Sequence, residues 1–186
     1  ARLVELLVML GDLRLARLRA EEAVARNPHN AAALQLLADV KMREGDKHSA
    51  VATYGRIVDL NPKSTQAHLA RARAERAAGM TKEAEVSLRK ALDLQKTHAP
   101  AQAALFELLM QQNRVPAALD WARQLKTEFP RAPSGHIFEA EVAMFNKKYK
   151  EAIAPYRAAL EIARSGDLAA RLYEVRVLAG DGQAAI

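Results

Sequence analysis

A period of 34 residues constrains this chain more than any other feature. Steps of 34 from Ala16 meet Ala50, Ala84, Ala118 and Ala152. Gly11, Gly45 and Gly79 keep the same step, which then reaches Asn113 and Lys147. Ala23, Ile57, Ala91, Leu125 and Ala159 form a third series, and Val24, Val58, Leu92 and Leu160 a fourth, broken once by Lys126. Coincident series at one period mean that a small supersecondary unit repeats. Such a unit buries its apolar face only against its neighbours.

Each unit reads as two amphipathic helices. In the second, residues 31–44 form a helix A, Gly45-Asp46 a turn, and residues 47–60 a helix B. Glycine at the turn accepts the positive φ that ends helix A, and Asp46 can cap helix B. Asn113 is the next best left-handed residue in the fourth unit, whereas Lys147 suits the fifth poorly. The alanines allow antiparallel helices to approach where a small side chain meets a small one, while Leu34, Leu37 and Tyr54 fill the space beside them. Pro28, Pro62 and Pro130 fall at the ends of B helices, because the residue before proline disfavours helix. The beat lapses at Lys96, and Pro100 instead opens the next helix in its first turn. This lapse reads as local tolerance rather than a domain boundary, with a looser stop and a slightly longer preceding helix.

The pattern Leu34, Leu37, Ala38, Gly45, Ala50, Tyr54 and Pro62 resembles the tetratricopeptide repeat family. The resemblance implies an all-α fold, a right-handed α-solenoid of stacked 34-residue helix-turn-helix units. A single array of residues 1–186 would comprise a partial unit (1–30), full units 31–64, 65–98, 99–132 and 133–166, and a final partial unit (167–186). Three positions depart from the pattern. Arg71 stands where a large apolar residue is usual, Phe106 where a small one is, and Pro155 falls inside a helix B, where a bend is expected. Gly180-Asp181 arrives one residue early for a turn, which a one-residue deletion after "IARSGD" would explain. The chain opens and closes inside helical patterns without an initiator Met, as a piece of a longer protein would, and its end helices should expose apolar surface.

Composition agrees with an all-α chain. Half the residues are apolar, mostly Ala and Leu, and 28 Lys/Arg against 22 Asp/Glu give a net charge of +6. With no cysteine, neither disulfides nor thiolate metal sites are available. No apolar run approaches the roughly 20 residues of a membrane span, and "LVELLVML" at 3–10 is followed by no cleavage site. The five histidines are scattered over turns and helix surfaces, and no phosphate loop or catalytic triad motif occurs. The chain is therefore expected to be no enzyme and to hold no cofactor or metal. Trp121 is expected to pack on a neighbouring helix, and "NKKYKEA" at 146–152 to be a solvated turn.

The family resemblance implies a concave groove lined by A helices. Carried over unit by unit, it contains Gln35, Asp39, Met42 and Arg43; Leu69, Arg73 and Arg76; Glu107 and Met110; and Phe138, Glu141, Met144 and Phe145. Leu36, Ala70, Ala103, Ala104 and Ile137 lie beside them. Met42, Met110 and Met144 are adaptable side chains suited to apolar segments. Arg43, Arg73 and Arg76 would form a basic strip in the region where unit 65–98 carries seven Lys/Arg against four Asp/Glu, favouring an acidic or mixed apolar-acidic protein segment. The lysine-asparagine clamp of chaperone-binding relatives is not reproduced, since Gln35 with Asp39 and Leu69 with Arg73 occupy its sites.

The second half resembles, more narrowly, bacterial lipoproteins of exosortase and PEP-CTERM sorting systems. The resembling stretches are 122–130, "PSGHIFEAE" and "SGDLAARLYEVRVLAG". That likeness implies an exported, lipid-anchored scaffold in exopolysaccharide or surface-protein assembly, periplasmic or anchored at the outer membrane; without it a cytoplasmic location is expected. Three readings follow: a module binding a protein segment in the groove, a structural solenoid that self-associates, or a recruiting arm of an enzyme whose catalytic domain lies elsewhere. Nucleic acid is disfavoured, because basic and aromatic residues are not interleaved for base stacking.

Overall fold

The computed structural model describes residues 2–181. Among them lie eleven α-helices and no strand. They are α1 (Arg2–Met9), α2 (Leu13–Arg26), α3 (Ala31–Glu44), α4 (Lys47–Leu60), α5 (Thr65–Ala77), α6 (Thr81–Leu94), α7 (Ala99–Gln111), α8 (Val115–Glu128), α9 (Ser134–Phe145), α10 (Tyr149–Ile162) and α11 (Gly166–Leu178). Helices α3 and α4 keep the limits expected from the period. The final partial unit is described only as far as Asp181.

The chain forms two compact units, Ala1–Ala101 and Gln102–Ile186. In the first, α1 to α5 each pack on the next helix, and α1 also touches α3. In the second, α8 packs on α9, α9 on α10 and α10 on α11. Helix α7 is joined to α8 by Trp121, whose Nε1 donates to the Gln102 carbonyl at 3.3 Å. It is joined to α9 by Ser134 Oγ, which donates to Gln102 Oε1 at 3.0 Å. The division between units falls inside α7, next to the lapse in the proline beat.

The alanine series is the core. Ala16, Ala50, Ala84, Ala118 and Ala152 are each 0% exposed. A larger side chain there would force the helices apart, because a packed interior has no spare volume. At Gly135 the approach is closer still. A Cβ built on it would lie 2.7 Å from the Lys126 nitrogen and 2.8 Å from the Ala122 carbonyl oxygen, both on α8.

The B helices end on the beat even where the proline does not. Their C-caps are Asn27, Asn61, Gln95, Phe129 and Ala163. Helix α6 therefore has 14 residues, as α4 does, and the longer helix expected before the lapse does not form. His98 explains why. Its N–H donates to the Gln95 carbonyl at 3.1 Å, and its Nδ1 accepts from the Ala101 N–H at 3.2 Å. It thus caps α7 one period after Ser64 caps α5 and two after Asn30 caps α3.

Gly180 takes φ +82°, like Gly45 at +85°, so the turn after α11 does arrive one residue early. Because Ala163 is on the beat, the missing residue belongs to the short link between α10 and α11. Helix α10 continues through Pro155 as one element. The other departures have local explanations. Phe106 stacks on Phe138 with centroids 4.4 Å apart and ring planes at 6°, so the large residue occupies space that a second ring shares. Arg71 Nε donates to Glu75 Oε1 at 2.7 Å, and Glu75 is 0% exposed. Glu75 Oε2 has no hydrogen-bond partner.

Two stability predictions follow from these contacts. Lys147 is held at φ +57°, a conformation that costs a side-chain-bearing residue about 1–2 kcal/mol. Lys147→Gly should raise the free energy of urea unfolding by about 0.5–1 kcal/mol, and Lys147→Ala should give no such gain. Arg71→Ala strands a buried carboxylate and should cost about 2–3 kcal/mol, near the low end for a broken buried pair because Arg71 is 37% exposed. Arg71→Leu/Glu75→Leu, measured in the same way, should recover most of that loss.

Candidate functional site

The A helices carry an unusual series of their own. Glu5, Asp39, Arg73, Glu107 and Glu141 are spaced by 34 and occupy one register position of successive A helices. In the first unit Asp39 and Arg73 are exposed, as is Arg43, and Gln35, Met42 and Arg76 are half-buried. In the second unit Glu107 is exposed, Met110, Glu141 and Met144 are half-buried, and Phe145 is 55% exposed. Two expected groove residues are corrected. Leu69 is 1% exposed and Phe138 is 8% exposed, so neither presents its side chain to a partner. Phe138 faces the Phe106 ring instead.

On α3, Asp39 is tied into a small network. The Tyr54 hydroxyl donates to Asp39 Oδ1 at 2.5 Å. Gln35 Nε2 donates to the same oxygen at 3.0 Å and to the Tyr54 hydroxyl at 3.3 Å. Burial, then the hydrogen bond to Asp39 and its charge, push the Tyr54 phenol far above its ordinary value, while Gln35 and the Arg73 cation pull the other way. Arg73 is thus close enough to act on this network. Neither Arg43 nor Arg73 has an ion-pair partner among the described residues, whereas Arg17, Arg19, Arg71 and Arg89 are each paired with a glutamate.

The second unit repeats the motif. The Tyr156 hydroxyl donates to Glu141 Oε1 at 3.2 Å, and Arg171 Nη1 donates to the same oxygen. Burial and then the Glu141 charge raise the Tyr156 phenol. Each tyrosine follows its acid by 15 residues, and the two pairs are three periods apart. Their spacing is legible in the sequence, but the repeat pattern assigns only the acids to the groove and reads Tyr54 as packing, because the tyrosines lie on B helices.

These faces hold hydrogen-bonded anchors and exposed cations. No group of three or more His, Asp or Glu that could hold a metal occurs among the described residues. His68, one of the scattered histidines, is buried, with Nε2 at 2.9 Å from the Pro62 carbonyl oxygen. It staples a turn. No described helix is long and apolar enough to cross a membrane.

A family model for the tetratricopeptide repeat matches residues 7–74 and 75–141. The chain belongs to the tetratricopeptide repeat family. Among solved structures it is similar to MamA (18% identity, TM-score 0.67, covering 87% of this chain and 94% of that one). It is also similar to PilW, a widely conserved type IV pilus biogenesis factor (16%, TM-score 0.64, covering 99% and 86%). A third is YrrB, a tetratricopeptide repeat protein with an unusual peptide-binding site (15%, TM-score 0.55, covering 90% and 87%). At these identities the likeness speaks for the fold. No curated protein matches the chain in sequence. As a tetratricopeptide repeat protein, the chain is a protein-interaction scaffold in type.

The Tyr54 contacts give a pH prediction. A phenol raised in the folded state contributes stability that is complete below its unfolded value of about 10 and is lost as pH rises beyond it. Tyr54→Phe should cost about 1–2 kcal/mol near pH 8. The gap between wild type and variant, followed by urea unfolding, should hold to about pH 9.5 and narrow above pH 10.

Proposed function

We propose that the chain recruits an acidic or mixed apolar-acidic protein segment to its A-helix faces. The observation that carries this reading is the pair of exposed guanidinium groups on α3 and α5, Arg43 and Arg73, left without carboxylate partners. Beside them Asp39 is engaged by Tyr54 and Gln35, so the nearest acid is already engaged by neutral donors. An incoming carboxylate would find two exposed cations without carboxylate partners and a hydrogen-bonded network to seat against. In the second unit, Met144 and Phe145 supply apolar contact beside the Glu141–Tyr156 pair. The peptide-binding site of YrrB adds support, because it places peptide recognition on the same fold.

The setting we propose is a bacterial exopolysaccharide or surface-protein assembly system, with the parent protein exported and lipid-anchored. It rests on the resemblance of 122–130, 133–141 and 165–180 to scaffolds of such systems. PilW, a pilus biogenesis factor of the same fold, is in keeping with it. A second reading, self-association, is favoured by the apolar surface of α1 and the turn after it, where Leu3, Leu6, Met9 and Leu10 are all exposed.

Selection from a random peptide library tests the leading reading. Enriched sequences should combine Asp or Glu with apolar residues. Arg43→Glu/Arg73→Glu should weaken the best of them at least about tenfold, a loss of about 1.4 kcal/mol, with an unchanged melting temperature. Enrichment of basic peptides, or equal binding by the variant, would overturn it. Light scattering on the same sample, showing concentration-dependent oligomers and no enriched peptide, would favour self-association.

A further inference from the structure

The opposite face of α9 carries a different feature. At about 100° per residue, His136, Glu139, Ala143 and Asn146 project away from Glu141, Met144 and Phe145. On their side a cleft of about 410 Å³ lies between α8 and α10, within the range of small-ligand sites. Its apolar lining comes from Leu119 on α8, Val142 and Ala143 on α9, and Ala154, Pro155 and Ala158 on α10. The alanines and the proline are too short to fill the space between the two B helices.

The polar lining is uneven in what it leaves unsatisfied. Arg123, Lys126 and Lys148 face Glu139 and Glu151, an excess of one positive charge. Lys126 is bonded to Glu139 Oε2 at 2.5 Å, and Lys148 reaches both oxygens of Glu151 at 3.1 Å. Both carboxylates are therefore taken. Arg123 is left with only Asp120 at 3.9 Å, an acid outside the cleft. The His136 side chain makes no hydrogen bond among the described residues; burial and then the nearby Lys126 lower its pKa, while Glu139 pulls the other way. The cleft thus offers one weakly paired cation, Arg123, with the His136 imidazole and the Asn146 amide beside an apolar floor.

We propose that this cleft is a second ligand site, which takes a small monocarboxylate with an apolar tail. The carboxylate meets Arg123, with His136 as second donor, and the tail lies on Leu119, Val142 and the α10 alanines. Carboxylate binding by a planar guanidinium is directional, and Arg123, with 63% of its side chain exposed, is open to an incoming ligand. The ligand is a free short acid or the terminal residue of a peptide, since both present the same chemistry. The site is independent of the segment-binding face, because none of its lining residues belongs to that face.

The test is a titration of the intact 186-residue chain followed by amide NMR. Octanoate should shift residues 119–126, 136–146 and 151–158 saturably, with half-saturation on the order of 1 mM or tighter. Acetate, which lacks the tail, and octanol, which lacks the charge, should each bind at least fivefold more weakly. Arg123→Gln should lower octanoate affinity at least fivefold, while Arg43→Glu/Arg73→Glu leaves it unchanged. N-acetyl-leucine binding more tightly than octanoate assigns the site to a peptide terminus, and the reverse to a free acid. Equal binding of octanol and octanoate, an unaffected Arg123→Gln variant, or shifts spread over surface lysines throughout the chain would overturn the proposal.

Discussion

Everything in this molecule depends on how closely two helices approach at alanine. With no β-carbon branch and no long side chain at Ala16, Ala50, Ala84, Ala118 and Ala152, each helix B lies against its neighbours at short range. Larger residues then pack around that contact rather than through it. The same economy is taken further at Gly135, where even a methyl group would meet backbone. Close approach leaves few large residues to bury, which is why a chain of mostly Ala and Leu can hold a core at all.

That geometry also separates the two proposed surfaces. An A helix packed on both sides by B helices has only narrow free stripes. On α9 one stripe carries Glu141, Met144 and Phe145, and the other lines the cleft with His136 and Glu139. Polar networks recur where a B-helix tyrosine reaches an A-helix acid across the pair, in Asp39–Tyr54 and Glu141–Tyr156. Each tyrosine is nearly buried while its hydroxyl is satisfied, so the network positions the acid without exposing apolar surface.

Much of the fold was legible in the sequence because the period is local information. The limits of α3 and α4, the turn glycines and the early arrival of Gly180 all follow from counting. The inward placement of Leu69 and Phe138 was not legible. A position in a repeat specifies a helix face, but burial depends on which side chain the neighbouring helix presents, and Phe106 decided that for Phe138. The capping role of His98 was missed for a related reason, since a histidine is seldom read as a helix cap. The cleft beside Pro155 depends on what three helices leave empty, and emptiness has no sequence motif.

The placement of Trp121 has one further consequence. It is the chain's sole tryptophan, half-buried on α8, with its indole N–H bound to the α7 backbone. Tryptophan emission is therefore a local witness. It responds to loosening between α7 and α8. Far-ultraviolet circular dichroism counts every helix equally. Followed together through a thermal ramp, the two signals divide the melting of the chain by region, with no label added.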